Sequence, residues 1–244
     1  MWIIIVEMLI SWLVGLVLAL YIHEIGHLCV GLLNGWRFFT LSIGPMKLYR
    51  ERMDEKIKLG FEENILNWCG VCATVPEEAN DENIKIWARI LIGGPIFSIV
   101  AGVFFLFMFF FYKKLFILMF GLDSLAIGLI NIVPSSLRTG FFYNDGKRYK
   151  RIKNGGIAAK EEQEIMHIVE KAVVEGEEMQ IKEEECMTLM NSEDYMYKYY
   201  AYYVMYTSFE KRDKVLAQKY CKLARSIDEK IPTSVKKMFL IGSE

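Results

Sequence analysis

Residues 2–33, WIIIVEMLISWLVGLVLALYIHEIGHLCVGLL, form one long apolar run. The exceptions are Glu7, the stretch His23-Glu24-Ile25-Gly26-His27 and a few small polar residues. A run of this length with so few charges predicts a membrane-spanning helix. It does not resemble a secretory signal, because no Lys or Arg occurs before Arg37 and the run is too long for a signal core.

Two histidines in this helix have the spacing of metal ligands. His23 and His27 are four residues apart, so on a helix they lie one turn apart on the same face and can bind one zinc ion. Glu24 lies beside them, where it can accept a proton from water. Chance is a poor explanation, because such groups are expensive inside a membrane helix unless they have partners. The third histidine, His167, lies on a polar helix and is expected to be an ordinary surface or satisfied residue.

Two further apolar runs predict two more membrane helices, over about residues 90–111 and 115–134, separated by Lys113 and Lys114. The loop 36–89 contains eight Lys and Arg residues, and residues 147–153, which follow the third run, contain five. The positive-inside rule therefore predicts an external N-terminus, with the loop and the C-terminal part in the cytosol.

The connecting loop and the C-terminal part are patterned differently from the membrane helices. The loop 37–75 alternates in residues 38–43 and 56–61 around Gly44-Pro45, which predicts a small β-sheet lying against the membrane face. Residues 153–244 are polar and have helical periodicity, including a tyrosine stripe expected in the core: Tyr195, Tyr199, Tyr202, Tyr203 and Tyr206. Helix pairs of tetratricopeptide type are one interpretation, although that consensus is not clearly present.

Charge and cysteine content exclude some function classes. The net charge is −1 and no basic stripe is present, so a nucleic-acid partner is not expected. The five cysteines are scattered and do not resemble a disulfide framework. Cys69-x-x-Cys72 has no second pair to complete a zinc site, so it is interpreted as incidental or structural.

A catalytic zinc ion needs a third protein ligand and one open position. The third predicted helix returns to the cytosolic side and ends near Asn131 and Pro134, so Asp145 in Asn-Asp-Gly is the best candidate. The alternative is an Asx turn, which the same tripeptide favours. Asp123 competes as an acid within the third apolar run, but it falls in the outer part of that helix. A pore-facing role or a pairing with Ser124 is the other interpretation of Asp123.

These residues resemble the site-2 protease family of intramembrane zinc metalloproteases, over residues 1–152. The resemblance depends on His23-Glu24-Ile25-Gly26-His27, on Gly93-Gly94-Pro95-Ile96-Phe97-Ser98 and on the set Asn131, Pro134, Asp145 and Gly146. It implies that Asn131 positions the substrate or stabilises the oxyanion, a role suited to an amide donor. The chain departs from the family pattern at Ser98, where Asn is frequent, and in a longer gap between Pro134 and Asp145.

The resemblance implies an α-helical membrane protein with a three-transmembrane-helix metalloprotease core and a small membrane-associated β-sheet, in residues 1–152. Outside the resemblance, the polar composition and helical periodicity of residues 153–244 predict a soluble all-α cytosolic domain, suited to recruiting a regulatory partner. The expected activity is zinc-dependent hydrolysis of peptide bonds in membrane proteins or membrane peptides near the cytosolic face of a bacterial cell membrane. Regulated intramembrane proteolysis and signal-peptide trimming both fit.

Two alternatives have different chemistry. A non-catalytic metal-containing receptor or scaffold would usually use four protein ligands for a structural zinc ion, and only three plausible ligands are found. A prenyl-protein protease would carry more membrane helices and a downstream Glu ligand, whereas this chain has three apolar runs and Asp145.

Overall fold

The computed structural model describes most of the chain and divides it into two compact units. One unit comprises Met1–Thr139 and Tyr143–Lys150, and the other comprises Gly140–Phe142 and Arg151–Glu244. The described residues are 2–62, 68, 70–77, 80, 82–136, 138–139, 142–175 and 179–239.

Three long apolar helices, α1 (Trp2–Leu33), α2 (Asn83–Tyr112) and α3 (Leu115–Ile132), pack against one another in the first unit. By length and composition each could cross a membrane, so the prediction of three apolar helices of membrane-spanning length is confirmed. Their outward surfaces expose large apolar side chains, as expected for contact with lipid. Examples are Val100, Val103, Phe107 and Phe110.

The ends of α2 and α3 differ from the predicted bounds for local reasons. Helix α2 begins at Asn83 rather than near residue 90, because the Asn80 side chain accepts hydrogen bonds from the backbone N–H groups of Glu82 (2.9 Å) and Asn83 (3.1 Å). Helix α3 ends at Ile132 rather than 134. Val133 is extended there, which is the conformation favoured before a proline.

The turn between α2 and α3 is two residues long. Lys113 takes the left-handed conformation (φ 50°) and its backbone N–H donates to the Phe109 carbonyl oxygen, which closes α2. Lys114 is extended and leads directly into α3. A connection this short makes the two helices antiparallel neighbours.

A four-stranded antiparallel sheet follows α1. It contains β1 (Arg37–Ile43), β2 (Met46–Tyr49), β3 (Lys58–Phe61) and β4 (Val71–Val75), in the order β3-β2-β1-β4. The predicted small sheet is therefore present. Within the described part of the chain, strand β4 pairs with β1 alone, so no second strand pairs with its other edge.

The remaining elements are mainly helical. Two short strands, β5 (Arg138–Thr139) and β6 (Phe142–Tyr143), pair with each other. The helices are α4 (Asp145–Asn154), α5 (Gly156–Glu175), α6 (Met187–Met190), α7 (Tyr195–Glu210), α8 (Lys214–Arg225) and α9 (Thr233–Met238).

The tyrosine stripe of α7 faces the core differently from the prediction. Tyr199 is buried, but Tyr195 is 38% exposed, so its assignment to the core was wrong. Tyr197 and Tyr200, which were not in the predicted stripe, are buried instead. The cause is that α7 is aromatic on nearly all sides, so spacing alone does not single out one face.

Candidate metal centre

Helix α1 turns two buried imidazoles toward each other. The Nε2 atoms of His23 and His27 are 3.3 Å apart, and both residues are less than 10% exposed. His27 Nδ1 lies 2.7 Å from the Ile90 carbonyl oxygen, which can only accept a hydrogen bond. Nδ1 therefore carries the proton, and the lone pair of His27 Nε2 remains available for a metal ion.

The second imidazole is oriented by a hydroxyl group of α2. His23 Nδ1 lies 3.1 Å from Ser98 Oγ, and Ser98 is fully buried. The Ser124 hydroxyl of α3 in turn donates to the Ser98 carbonyl oxygen over 2.9 Å. All three membrane helices thus contribute to the orientation of His23.

Asp145, the first residue of α4, completes a group of three. Its Oδ2 atom lies 3.1 Å from His23 Nε2 and 3.5 Å from His27 Nε2. Burial opposes ionisation of Asp145, but the neighbouring His27 and His23 imidazoles outweigh it and hold the pKa of the carboxyl below its ordinary value. Among the residues that the structure describes, these three form the one group of His, Cys, Asp and Glu side chains arranged to hold a metal ion.

The distances between the donor atoms fit a tetrahedral zinc ion. Ligand atoms about 2.0–2.1 Å from a tetrahedral centre lie roughly 3.3 Å from one another. The observed separations are 3.1, 3.3 and 3.5 Å. Two nitrogen donors and one carboxylate oxygen also form a set that zinc accepts while leaving a fourth position open.

Glu24 of α1 is contacted by the backbone at the start of β4. It is 7% exposed, and its carboxylate accepts a hydrogen bond from the Cys72 backbone. A Cβ atom at Gly70 would lie 2.6 Å from Glu24 Oε1, so the backbone passes very close to this carboxylate. Burial and the Glu24 carboxylate both raise the pKa of the Cys72 thiol, which stays protonated. Cys69 lies outside the described residues.

A family model matches nearly the whole chain. The model of Peptidase family M50 covers residues 11–241. The chain belongs to this family. The resemblance to the site-2 proteases is therefore confirmed, and this M50 peptidase is an integral membrane metalloprotease. Comparison with curated proteins and with solved structures found no match.

Two further residues considered from the sequence of the M50 peptidase, Asn131 and Asp123, have hydrogen-bond partners of their own in the structure. The Asn131 side-chain amide donates to the Ile127 carbonyl oxygen of its own helix over 3.0 Å. Asp123 hydrogen-bonds the Trp12 side chain and packs so closely against α1 that a Cβ atom at Gly15 would lie 2.9 Å from Asp123 Oδ2. Gly15 precedes His23 by eight residues, or about 12 Å along the helix.

Ser124 and His167, the other polar residues considered from the sequence, also have hydrogen-bond partners. Ser124 donates to the Ser98 carbonyl oxygen, so its hydroxyl is not directed to Asp123. His167 Nε2 lies 3.2 Å from Glu185 Oε1, which agrees with an ordinary satisfied histidine.

The sequence analysis missed the groups that orient the histidines of the M50 peptidase. Ile90 acts through its backbone carbonyl, which leaves no trace in residue type. Ser98 was noted as a departure from the family pattern, not as a partner of His23. The relevant signal was its position: Ser98 lies two turns after Ile90, on the helix that carries Gly93-Gly94 past the metal centre.

Proposed function

We propose that this M50 peptidase is a zinc metalloendopeptidase that hydrolyses peptide bonds of membrane-embedded substrates near the cytosolic face of a bacterial cell membrane. The observation that carries the proposal is the spacing of three donor atoms, His23 Nε2, His27 Nε2 and Asp145 Oδ2, at 3.1–3.5 Å from one another. These residues would hold the ion.

The residues around the metal centre have separate roles in the proposed reaction. A zinc ion held there supplies a Lewis acid that polarises the scissile carbonyl and makes water a stronger acid. Glu24 accepts the proton from the attacking water and delivers it to the leaving amine, so no covalent intermediate with the protein is needed. Ile90 and Ser98 keep the two imidazoles in the orientation that directs Nε2 to the metal.

Strand β4 offers a means of holding the substrate. No described strand pairs with its second edge, and near its start the Cys72 backbone donates to Glu24. An extended peptide pairing with this edge would lie beside the base, whereas a helical peptide would have to unwind because its backbone groups are already paired. Asn131 would stabilise the oxyanion after its amide releases the Ile127 carbonyl oxygen.

The proposed membrane topology follows from the distribution of Lys and Arg. The loop between α1 and α2 and the residues after α3 are rich in both, which supports a cytosolic location for the metal centre and an external N-terminus. Helices α5–α9 would then form a soluble cytosolic domain, suited to recruiting a regulatory partner.

The proposal is tested with purified full-length protein in proteoliposomes that contain a membrane-embedded reporter. Glu24→Gln should abolish cleavage but retain zinc, because the ligands are unchanged. Glu7→Gln, near the other end of α1, is the matched control and should cleave normally. Full activity of Glu24→Gln would rule out Glu24 as the general base. Stoichiometric zinc in His27→Ala, measured by mass spectrometry, would contradict the metal centre. Zinc without cleavage in the wild type would favour the receptor or scaffold.

A further inference from the structure

Asn144, which immediately precedes Asp145, ties the end of α3 to the start of α4. It is 4% exposed, and its Nδ2 atom donates to the carbonyl oxygens of Ile130 and Val133, both over 2.8 Å. In a continuing helix the Ile130 carbonyl would accept from the backbone N–H four residues later. That residue is Pro134, which has no N–H. The Asn144 amide thus supplies the hydrogen-bond donor that the backbone lacks at Pro134.

The oxygen of the same amide organises the first turn of α4. Asn144 Oδ1 lies 3.1 Å from the Lys147 backbone nitrogen, the arrangement of an N-cap, and 3.4 Å from the Ser135 backbone nitrogen. One side chain therefore satisfies groups on both sides of the connection.

The backbone after Asn144 also contacts the end of α3. A Cβ atom at Gly146 would overlap the Ile132 carbonyl group and approach the Asn131 carbonyl oxygen to 2.9 Å. Asp145 thus lies between a residue that is hydrogen-bonded to α3 and a residue whose backbone touches α3. Its carboxylate can move little unless one of these contacts breaks.

We propose that Asn144 is a positioning residue, which holds Asp145 Oδ2 against the two imidazoles by fixing the start of α4 to the end of α3. The inference rests on the proposed function. It also explains how the longer gap after Pro134 is tolerated. Asp145 comes eleven residues after Pro134, and a connection of that length would leave its carboxylate poorly located without the hydrogen bonds of Asn144 to α3.

Two substitutions separate the hydrogen bonds of Asn144 to α3 from its capping of α4. Asn144→Asp keeps an oxygen that can cap α4 but loses both donors to α3, whereas Asn144→Ala loses both functions. The control is Asp213→Ala, which removes the N-cap of α8, where Asp213 accepts from the Val215 and Leu216 backbone N–H groups (3.0 and 3.1 Å). The full-length proteins are compared by zinc competition against a chelator and by thermal unfolding.

Both Asn144 variants should bind zinc about 10- to 100-fold more weakly than the wild type, as is typical when a partner of a ligand is lost. Asp213→Ala should lower the unfolding temperature and leave the zinc affinity unchanged. Wild-type zinc affinity in either Asn144 variant overturns the inference. If Asn144→Asp alone keeps wild-type affinity, Asn144 acts only as the N-cap of α4.

The outcome for the wild type distinguishes the inference from the proposed function. If the wild type binds no zinc, the proposed function fails and the inference fails with it. If the wild type binds zinc and the Asn144 variants bind it equally well, the inference alone fails. Should Asn144→Ala not fold, the visible spectrum of cobalt-loaded Asn144→Asp decides: a changed coordination spectrum supports the inference, and an unchanged one overturns it.

Discussion

Replacement of Gly94 by alanine should disrupt the metal centre from the opposite helix. An ideal Cβ atom at Gly94 would overlap His27 Nε2 and lie 2.6 Å from His27 Cε1. Ordinary contact begins at 3.4 Å, so the ring would have to recede by at least about 0.8 Å at Cε1, and by more at Nε2. It cannot do so freely, because His27 Nδ1 is hydrogen-bonded over 2.7 Å to the Ile90 carbonyl oxygen on the same helix as the new methyl group.

This displacement is large compared with what a metal centre tolerates. Ligand distances in real sites stay within about 0.2 Å of their usual values. We therefore expect Gly94→Ala to weaken zinc binding by at least about 10-fold. Turnover should fall by roughly 100-fold, the scale expected when a reacting group is misplaced by about 1 Å. Zinc competition and reporter cleavage in proteoliposomes measure the two effects separately.

Gly102→Ala is the matched control on the same helix. A Cβ atom there would lie 2.6 Å from the Leu125 backbone nitrogen, which is also closer than ordinary contact but involves no metal ligand. It should destabilise the protein by about 1–3 kcal/mol through overpacking and leave zinc affinity unchanged. If Gly94→Ala retained wild-type affinity and turnover while Gly102→Ala lost stability, the argument from ring displacement would be refuted.

Three further predictions concern groups outside the metal centre. Arg151→Met should lower the free energy of unfolding by about 3–5 kcal/mol in a denaturant titration, because fully buried Glu162 loses its cation at 2.9 Å; a loss near zero would contradict this. Burial raises the pKa of Glu185, but the hydrogen bond from Lys171 and the other interactions of Glu185 together outweigh burial, and the pKa falls from 4.5 to about 2. The resulting stability is full above pH 4.5 and lost toward pH 2, so Glu185→Gln should be less stable than the wild type near neutral pH and converge with it in acid. Asp123→Asn should keep normal zinc content and cleavage, and loss of zinc in that variant would return Asp123 to the ligand set.

The elements that the sequence predicted best depend on local spacing. His23 and His27 are brought together by a single helical turn, so their proximity required only that residues 2–33 be helical. Asp145 needed more: the three apolar runs predicted the return of α3 to the same side of the membrane, and the resemblance to the site-2 proteases favoured a ligand over an Asx turn. The structure brings all three residues together.

The features that could not be predicted depend on how separate elements meet. The contact of His27 with the Ile90 carbonyl oxygen depends on where α2 crosses α1. The role of Asn144 depends on the Ile130 carbonyl, to which Pro134 cannot donate a backbone N–H, and on the close approach of two chain segments that the sequence does not show. The early start of α2 depends on Asn80, a single capping side chain outside the apolar run.

The modest length of α3 has a consequence for the surrounding lipid. Its 18 residues rise about 27 Å, whereas the hydrocarbon layer of a typical bilayer is about 30 Å thick. A short span is matched by local thinning of the bilayer or by flanking side chains that reach the interface, and Lys113 and Lys114 lie at one end of α3. Thinning at the other end would bring the headgroup layer and its water nearer to the residues that lead to Asp145, so we expect the length of the acyl chains to affect cleavage.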